Sequence, residues 1–143
     1  MVESVPIEGE TTKKGKPRKV GHIKMVVIND LKANTITPIV KENIAKGAIV
    51  DSDHSTSYVK LKGVVSEHRP KVIPKEKVSE MLPWVHLAIS NAKRLLLDVH
   101  HDIDPQHLQS YLNEFCYKYN RRYFGEKLFE RLLIACVTYK NEF

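Results

Sequence analysis

The spacing of apolar positions changes about halfway along the chain, from short runs in the first half to helical repeats in the second. Residues 21–29 form an apolar run that predicts a strand in the centre of a sheet. Residues 2–7 predict a partner strand, with the lysine-rich residues 11–19 as the connecting turn. The chain is therefore expected to open with a hairpin.

A helix and a further strand are predicted next. Asn34 or Thr35 caps a helix that tolerates Pro38 only in its first turn and that ends at Gly47. The apolar residues 48–50 then predict a strand. Strand, helix and strand in this order predict a βαβ unit with parallel pairing.

Two short elements complete the first half. Residues 55–62 predict a short helix with Tyr58 and Leu61 turned inward. Residues 71–73 predict a further strand, bounded on each side by a proline.

The second half is predicted to be helical. Pro83 suits the start of one helix, Asp104 and Pro105 form the N-cap and first position of a second, and Gly125 separates a third. The apolar stripes of the first two helices consist of Val85, Ile89, Ala92 and Leu96, and of Leu108, Tyr111, Leu112, Phe115 and Tyr119. Strands mixed with helices and followed by a helical tail predict an α/β fold.

Length and composition favour one domain over residues 1–143. Hydrophobic residues make up 42% of the 143 positions, enough for a core. The sequence contains no apolar run of the roughly 18 residues that a membrane span needs, and its start has no apolar signal segment. Cys116 and Cys136 both lie in apolar helical contexts, which predicts buried free thiols in a cytoplasmic protein.

The net charge of +6 favours a polyanionic partner, with nucleic acid first. Arg121 and Arg122 end the second C-terminal helix. Further cations lie in residues 11–19, a basic hairpin tip or flexible loop: Lys13, Lys14, Lys16, Arg18 and Lys19. A charge that serves only solubility explains the same composition, so composition leaves both interpretations open.

Asp53 is the first candidate for chemistry. It follows an apolar strand, and open α/β sheets place their ligands at the carboxyl ends of their strands. A carboxylate at that position is a natural ligand for a hard cation. The alternative is a local turn or a cap for residues 55–62. Asp51 is expected to face the opposite side of the strand.

His86 and Lys93 are the second candidate, because residues seven apart on a helix lie two turns apart on one face. They would present an imidazole and a cation to the same space. The alternatives are a half-buried, hydrogen-bonded histidine and a solvated helix face carrying Lys93 and Arg94. Adjacent His100 and His101 diverge and have no cysteine nearby, so a zinc site is not predicted.

Two blocks of sequence resemble bacterial insertion-sequence transposases of the ISXO2-like branch. The first is residues 44–58, within KENIAKGAIVDSDHSTSY, which is similar to the family's helix, strand and second catalytic aspartate followed by a tyrosine. The second contains KRLLL, PQHLQ, YLNEF and YNRR within residues 93–122. Family members are DDE-type enzymes, so the resemblance implies a ribonuclease-H-like mixed sheet flanked by helices, with a helical C-terminal part.

The resemblance also implies roles for individual residues. Asp53 takes the place of the second metal-binding aspartate, and His86 falls where the family usually has its third acidic residue. The implied cofactor is Mg²⁺ or Mn²⁺. Lys93 falls on a basic residue that contacts DNA near the reacting end in such transposases. Arg94, Arg121 and Arg122 are the further predicted DNA-binding residues.

The same resemblance implies partners and a location. The DNA partner would be the terminal repeats of an insertion sequence, bound by a homo-oligomer without membrane association. The protein would be cytoplasmic, and associated with the nucleoid when bound to DNA.

Two features depart from the family's pattern. No aspartate precedes Asp30, so the first catalytic strand and its aspartate are expected to be missing from this chain. His86 is not a carboxylate, and magnesium prefers oxygen ligands whereas manganese accepts imidazole. The sequence thus predicts a partial, metal-dependent catalytic domain for DNA strand cleavage and transfer. A non-catalytic remnant that binds DNA or a transposase subunit is the alternative.

Overall fold

Short strands and helices make up the part of the chain that the structure, a computed structural model, describes. The described residues are 1–6, 18–72, 74, 82–99 and 102–138. The helices and strands run in the order β1 (Val2–Pro6), β2 (Arg18–Ile23), α1 (Ala33–Asn43), β3 (Ile49–Asp53), β4 (Glu67–Lys71), α2 (Pro83–Val99), α3 (Leu108–Asn120) and α4 (Lys127–Thr138). Short 3₁₀ helices lie at Thr56–Gly63, Pro105–His107 and Arg122–Phe124. The predicted mixture of strands and helices is confirmed.

Internal contacts divide the chain into two units. The terminal unit contains Met1–Met25 and Asn91–Phe143, and the central unit contains Val26–Ser90. A single domain over residues 1–143 stays a prediction.

The terminal unit opens with an antiparallel pair, β1 and β2, which confirms the predicted partner strand. The two strands approach closely at Gly21, because a Cβ atom there would strike the side chains of Glu3 and Val5. A larger residue at this position would therefore push the strands apart.

β2 is shorter and less central than predicted. It ends at Ile23, and in the described part of the chain β1 is its only partner strand. An apolar run becomes a strand only where a neighbour supplies hydrogen bonds, and residues 25–29 pair with no described strand. Residues 11–17 of the predicted basic turn lie outside the described residues.

Helix α3 carries much of the terminal unit's core. The predicted N-cap before this helix is confirmed, since the Asp104 carboxylate accepts a hydrogen bond from the Gln106 N–H at 3.0 Å and Pro105 follows the cap. At the other end, the Asn120 side chain accepts from the Ile23 N–H at 2.7 Å and donates to the Ile23 carbonyl at 2.9 Å, which joins α3 to β2. The buried apolar side chains of this unit are Val20, Ile23, Ala92, Phe115 and Cys116.

Helix α4 begins after Gly125, which confirms the predicted break. Gly125 has a φ of +52°, a conformation that L side chains rarely adopt. Every residue of α4 is exposed, including Cys136. The prediction of buried thiols is therefore right for Cys116, whose pKa burial raises, and wrong for Cys136. Helical spacing of apolar residues does not say whether anything packs on them.

In the central unit, α1 starts and ends earlier than predicted. It begins at Ala33, so Pro38 lies in the second turn, where it removes one helical hydrogen bond. The helix ends at Asn43 because the next residue already has an extended backbone, four residues before Gly47. The predictions of a cap at Asn34 or Thr35 and of a stop at Gly47 are therefore wrong.

The sheet of the central unit is parallel, but its partners differ from the prediction. β3 pairs with β4, with Asp53 opposite Lys71, and not with β2 as the βαβ unit required. β4 begins four residues before the predicted segment, overlaps it only at Lys71, and contains Pro70. Proline lacks the N–H that a central strand needs, and in the described sheet β4 has one partner.

Leu61 is the centre of this unit's core. It is 1% exposed and lies in one apolar cluster with Ile36, Val40 and Val65. Tyr58 is half-buried against the same cluster, so both inward-facing predictions for the 3₁₀ helix Thr56–Gly63 are confirmed.

Helix α2 begins at Pro83 as predicted, and its buried stripe is confirmed in part. Of the predicted residues, Ala92 is buried, Val85 and Leu96 are half-buried, and Ile89 is 41% exposed. Ala88, which the predicted stripe did not include, is buried as well. No helix in the described part of the chain has the length and hydropathy to cross a membrane.

Candidate functional site

Asp53 lies at the carboxyl end of β3 with its side chain exposed. Burial alternates along this strand, with Val50 and Ser52 inward and Asp51 and Asp53 outward. The prediction that Asp51 faces the opposite side is wrong, because side chains two apart on a strand share a face. Asp51 is already engaged, since its carboxylate lies 3.0 Å from the Lys71 Nζ atom.

The Asp53 carboxylate also takes part in a local turn. It accepts a hydrogen bond of 3.3 Å from the Ser55 N–H. Ser55, and not Asp53, caps the following 3₁₀ helix by accepting from the Ser57 N–H. Burial raises the pKa of the Tyr58 hydroxyl, and the negative charge of Asp53 raises it further to a smaller degree. Asp53 therefore takes part in the local turn that was the alternative prediction for this residue. Its carboxylate remains exposed to solvent.

His86, Lys93 and Arg94 all lie on α2. His86 is half-buried, and its backbone N–H donates to the Leu82 carbonyl at 3.3 Å. Lys93 and Arg94 are exposed, and no carboxylate of the described residues forms an ion pair with either side chain. Neither of these two adjacent cations therefore has an ion-pair partner among the described residues.

The neighbouring residues Arg121 and Arg122 both lie against tyrosine rings. The Arg121 Cζ atom lies 3.6 Å from the centre of the Tyr117 ring. The Arg122 Cζ atom lies 4.0 Å from the ring centre of Tyr119 and 4.1 Å from that of Tyr123. Both arginines are thus held on aromatic faces.

The Arg122 guanidinium is also hydrogen-bonded within the fold. It donates to the carbonyls of Val20 at 2.5 Å and of Tyr119 at 2.8 Å. Tyr123 donates to the same Val20 carbonyl at 2.9 Å. Arg122 therefore fastens the end of α3 to β2, a role that its charge alone did not suggest.

A profile of the ISXO2-like transposase domain matches residues 7–120 of this chain. The chain belongs to the ISXO2-like transposase domain family. No curated protein and no solved structure matches it. The family match includes Asp53, His86, Lys93 and Arg94, and it ends before Arg121.

Family membership raises the question of metal, because DDE-type transposases use divalent ions. In the described residues, no three His, Cys, Asp or Glu side chains come together as a group that could hold an ion. Asp53 contributes one accessible carboxylate, and His86 is not an oxygen ligand. The described donors of this transposase-family chain therefore do not by themselves fit a divalent metal site. His100 and His101 lie outside the described residues.

Sequence reasoning missed one cationic feature of this family member. A cleft of about 780 Å³, here called the α3–α4 cleft, lies between the two helices. Its cationic lining residues are Arg121, which follows α3, and Lys127 and Arg131 of α4. The signal was available in the sequence, because Lys127 and Arg131 are four apart and share a helix face. It was overlooked because the apolar residues of α4 dominate its pattern.

Proposed function

We propose that this chain acts in DNA transposition at insertion-sequence ends and that its own contribution is to bind the DNA backbone. Family membership supports the process. The observation that carries the binding role is the exposed pair Lys93 and Arg94 on α2, neither of which has an ion-pair partner among the described residues. Cations without carboxylate partners attract phosphates most strongly, because no internal ion pair must be broken first.

Arg121 and Arg122 of the terminal unit have different proposed roles, one in contacting DNA and the other in stabilising the fold. Arg121, stacked on Tyr117, would add a third phosphate contact beside Lys93 and Arg94. Arg122 would act as a positioning residue, because its donors are bonded to Val20 and Tyr119. Contacts of this kind release counterions from DNA, so affinity falls steeply as salt rises.

A second candidate function is DNA strand cleavage and transfer. It is supported by the exposed Asp53 carboxylate at the end of β3, the position that the resemblance gives to a catalytic aspartate. His86 would support the reacting groups from α2. This candidate includes the ribonuclease-H-like arrangement and the divalent metal, for which the described donor set is incomplete. Ligands beyond the described ones would have to complete the site.

Binding is tested by fluorescence anisotropy with a labelled DNA duplex at several salt concentrations. Lys93→Ala and Arg94→Gln should each weaken binding on every sequence and lower the salt slope by about one unit. Lys118→Ala is the matched control, because Glu114 already neutralises Lys118. Slopes unchanged in the two α2 variants would contradict the assignment. A wild-type chain that does not bind DNA at low salt would favour a charge that serves only solubility.

Cleavage is tested separately, with Mn²⁺ and DNA that carries an insertion-sequence end. Nicking that disappears in Asp53→Ala, while DNA binding persists, would support the catalytic candidate. Salt-sensitive binding without nicking would leave DNA binding as the function of the isolated chain.

A further inference from the structure

The α3–α4 cleft is a cationic cavity of the terminal unit. Its walls carry His22, Tyr117, Arg121, Phe124, Lys127 and Arg131, with Glu130 as the carboxylate among the described lining residues. All these residues belong to the terminal unit. The cleft therefore brings three permanent cations to one concave surface.

Two of these cations are oriented by aromatic rings. The Cζ atom of Arg121 lies 3.6 Å from the ring centre of Tyr117, and that of Arg131 lies 4.2 Å from the ring centre of Phe124. Stacking fixes the plane of a guanidinium and leaves the N–H donors at its edge free to bind an anion. Less side-chain entropy is then lost when an anion binds.

The donors of both arginines are available. No carboxylate of the described residues forms an ion pair with Arg121 or Arg131. Arg122 provides the contrast, since its donors are bonded to backbone carbonyls. The cleft thus contains oriented arginines without an internal acceptor.

The face that α4 turns to the cleft is set by helical spacing. Lys127, Glu130, Arg131 and Ile134 follow one another at intervals of three, one and three residues, and all four line the cleft. The single negative charge of Glu130 does not cancel the charges of Arg121, Lys127 and Arg131. A net positive surface remains.

We infer that the α3–α4 cleft binds a phosphate group through Arg121, Arg131 and Lys127. This inference rests on the proposed DNA-binding function, and it identifies the phosphate as one of the DNA backbone. The facing surfaces of Tyr117 and Phe124 are covered by guanidinium groups, so the cleft offers charge and not a stacking platform for bases. Binding there is therefore independent of sequence. Arg131 and Lys127 lie beyond residue 120, where the family match ends.

The test uses the full chain with a labelled duplex of arbitrary sequence, followed by anisotropy across salt concentrations. Arg121→Gln and Arg131→Gln should each lower affinity about eightfold at 0.1 M salt, because a slope of about 0.9 per contact acts over the tenfold interval to 1 M. Arg131→Lys keeps the charge and should keep the slope. The matched control is Arg69→Gln, an exposed arginine that is paired with Glu67 at 2.8 Å.

A second measurement separates the site from the source of its phosphate. Inorganic phosphate is titrated into the ¹⁵N-labelled chain, and the side-chain Nε–H signals of Arg121 and Arg131 are followed by NMR. Both should shift, and the duplex should compete with the phosphate.

The outcomes are distinguishable. DNA binding that is as strong in Arg121→Gln and Arg131→Gln as in Arg69→Gln overturns the cleft site and the contact assigned to Arg121, while the DNA-binding role of Lys93 and Arg94 stands. Phosphate-induced shifts without any binding of the duplex overturn the proposed function and the DNA source of the phosphate. If phosphate shifts neither signal and the duplex does not bind, both the cleft site and the proposed function are overturned.

Discussion

The guanidinium of Arg122 donates to the Val20 and Tyr119 carbonyls and lies between two tyrosine rings. A cationic residue that sequence reasoning assigned to DNA is thus held inside the fold. The distinction matters for experiment, because its removal would disturb DNA binding through the structure and not through a lost phosphate contact.

Arg122→Gln should lower the free energy of unfolding by about 2 kcal/mol, since charge-assisted hydrogen bonds to two carbonyls are lost together with the ring contacts. Urea unfolding followed by circular dichroism measures the change. Arg94→Gln, an exposed residue, should stay within about 0.5 kcal/mol of the unmodified chain. Equal losses in the two variants would contradict the structural role of Arg122.

Glu3 gives the terminal unit a pH-dependent contribution to stability. The His22 backbone N–H, at 2.8 Å, and then the His22 ring hold the pKa of Glu3 below its ordinary value. A carboxyl whose folded pKa is lowered stabilises the fold above its ordinary pKa, and this stabilisation is lost as the pH falls through the folded value.

The melting temperature of the Glu3→Gln variant should therefore fall less than that of the unmodified chain between about pH 5 and pH 3. The effect should be below about 1 kcal/mol, because both side chains are more than half exposed to solvent. Melting curves at several pH values measure it, with Glu42→Gln on the exposed side of α1 as the control. A steeper fall in Glu3→Gln than in the control would contradict the assignment.

At the scale of elements, Gly125 separates the 3₁₀ helix Arg122–Phe124 from α4. Its positive φ, and not crowding, makes glycine necessary, because nothing lies within 4 Å of the position that a Cβ atom would occupy. The turn therefore depends on backbone conformation alone.

Gly125→Ala should cost about 1–2 kcal/mol of stability. Gly47→Ala is the matched control, since a Cβ atom there also meets nothing within 4 Å and φ is ordinary. That control should be neutral or slightly stabilising. Urea unfolding of both variants measures the difference, and equal stabilities would show that Gly125 does not need its positive φ.

The elements also show which features a sequence can predict. Pro83, the Asp104–Pro105 cap and Gly125 were predicted correctly, because each acts through the backbone next to it. The pairing of β3 with β4 was not, because hydrogen bonds between strands join residues far apart in sequence, and the apolar pattern does not say which strands meet.

The candidate site shows the same limit. The position of Asp53 at a strand end and the exposure of Lys93 followed from local pattern. The internal role of Arg122 and the stack of Arg131 on Phe124 did not, because both depend on how separate segments fold back on one another. Charge counts therefore identified a basic protein without saying which cations are available.

For the whole molecule, membership of the ISXO2-like transposase domain family and a net charge of +6 favour DNA as the partner. In the described residues no three donor side chains come together as a metal group, and the contribution proposed for this chain is DNA binding. The proposed phosphate contacts are Lys93, Arg94, Arg121, Lys127 and Arg131.

The most direct test is the affinity of the unmodified chain for a DNA duplex as a function of salt, measured by fluorescence anisotropy. Five cationic contacts, at about 0.9 each, predict that the logarithm of the association constant falls with the logarithm of salt with a slope of about −4.5. The slope should not depend on the sequence of the duplex. No binding at low salt, or an affinity that does not change with salt, would contradict the account.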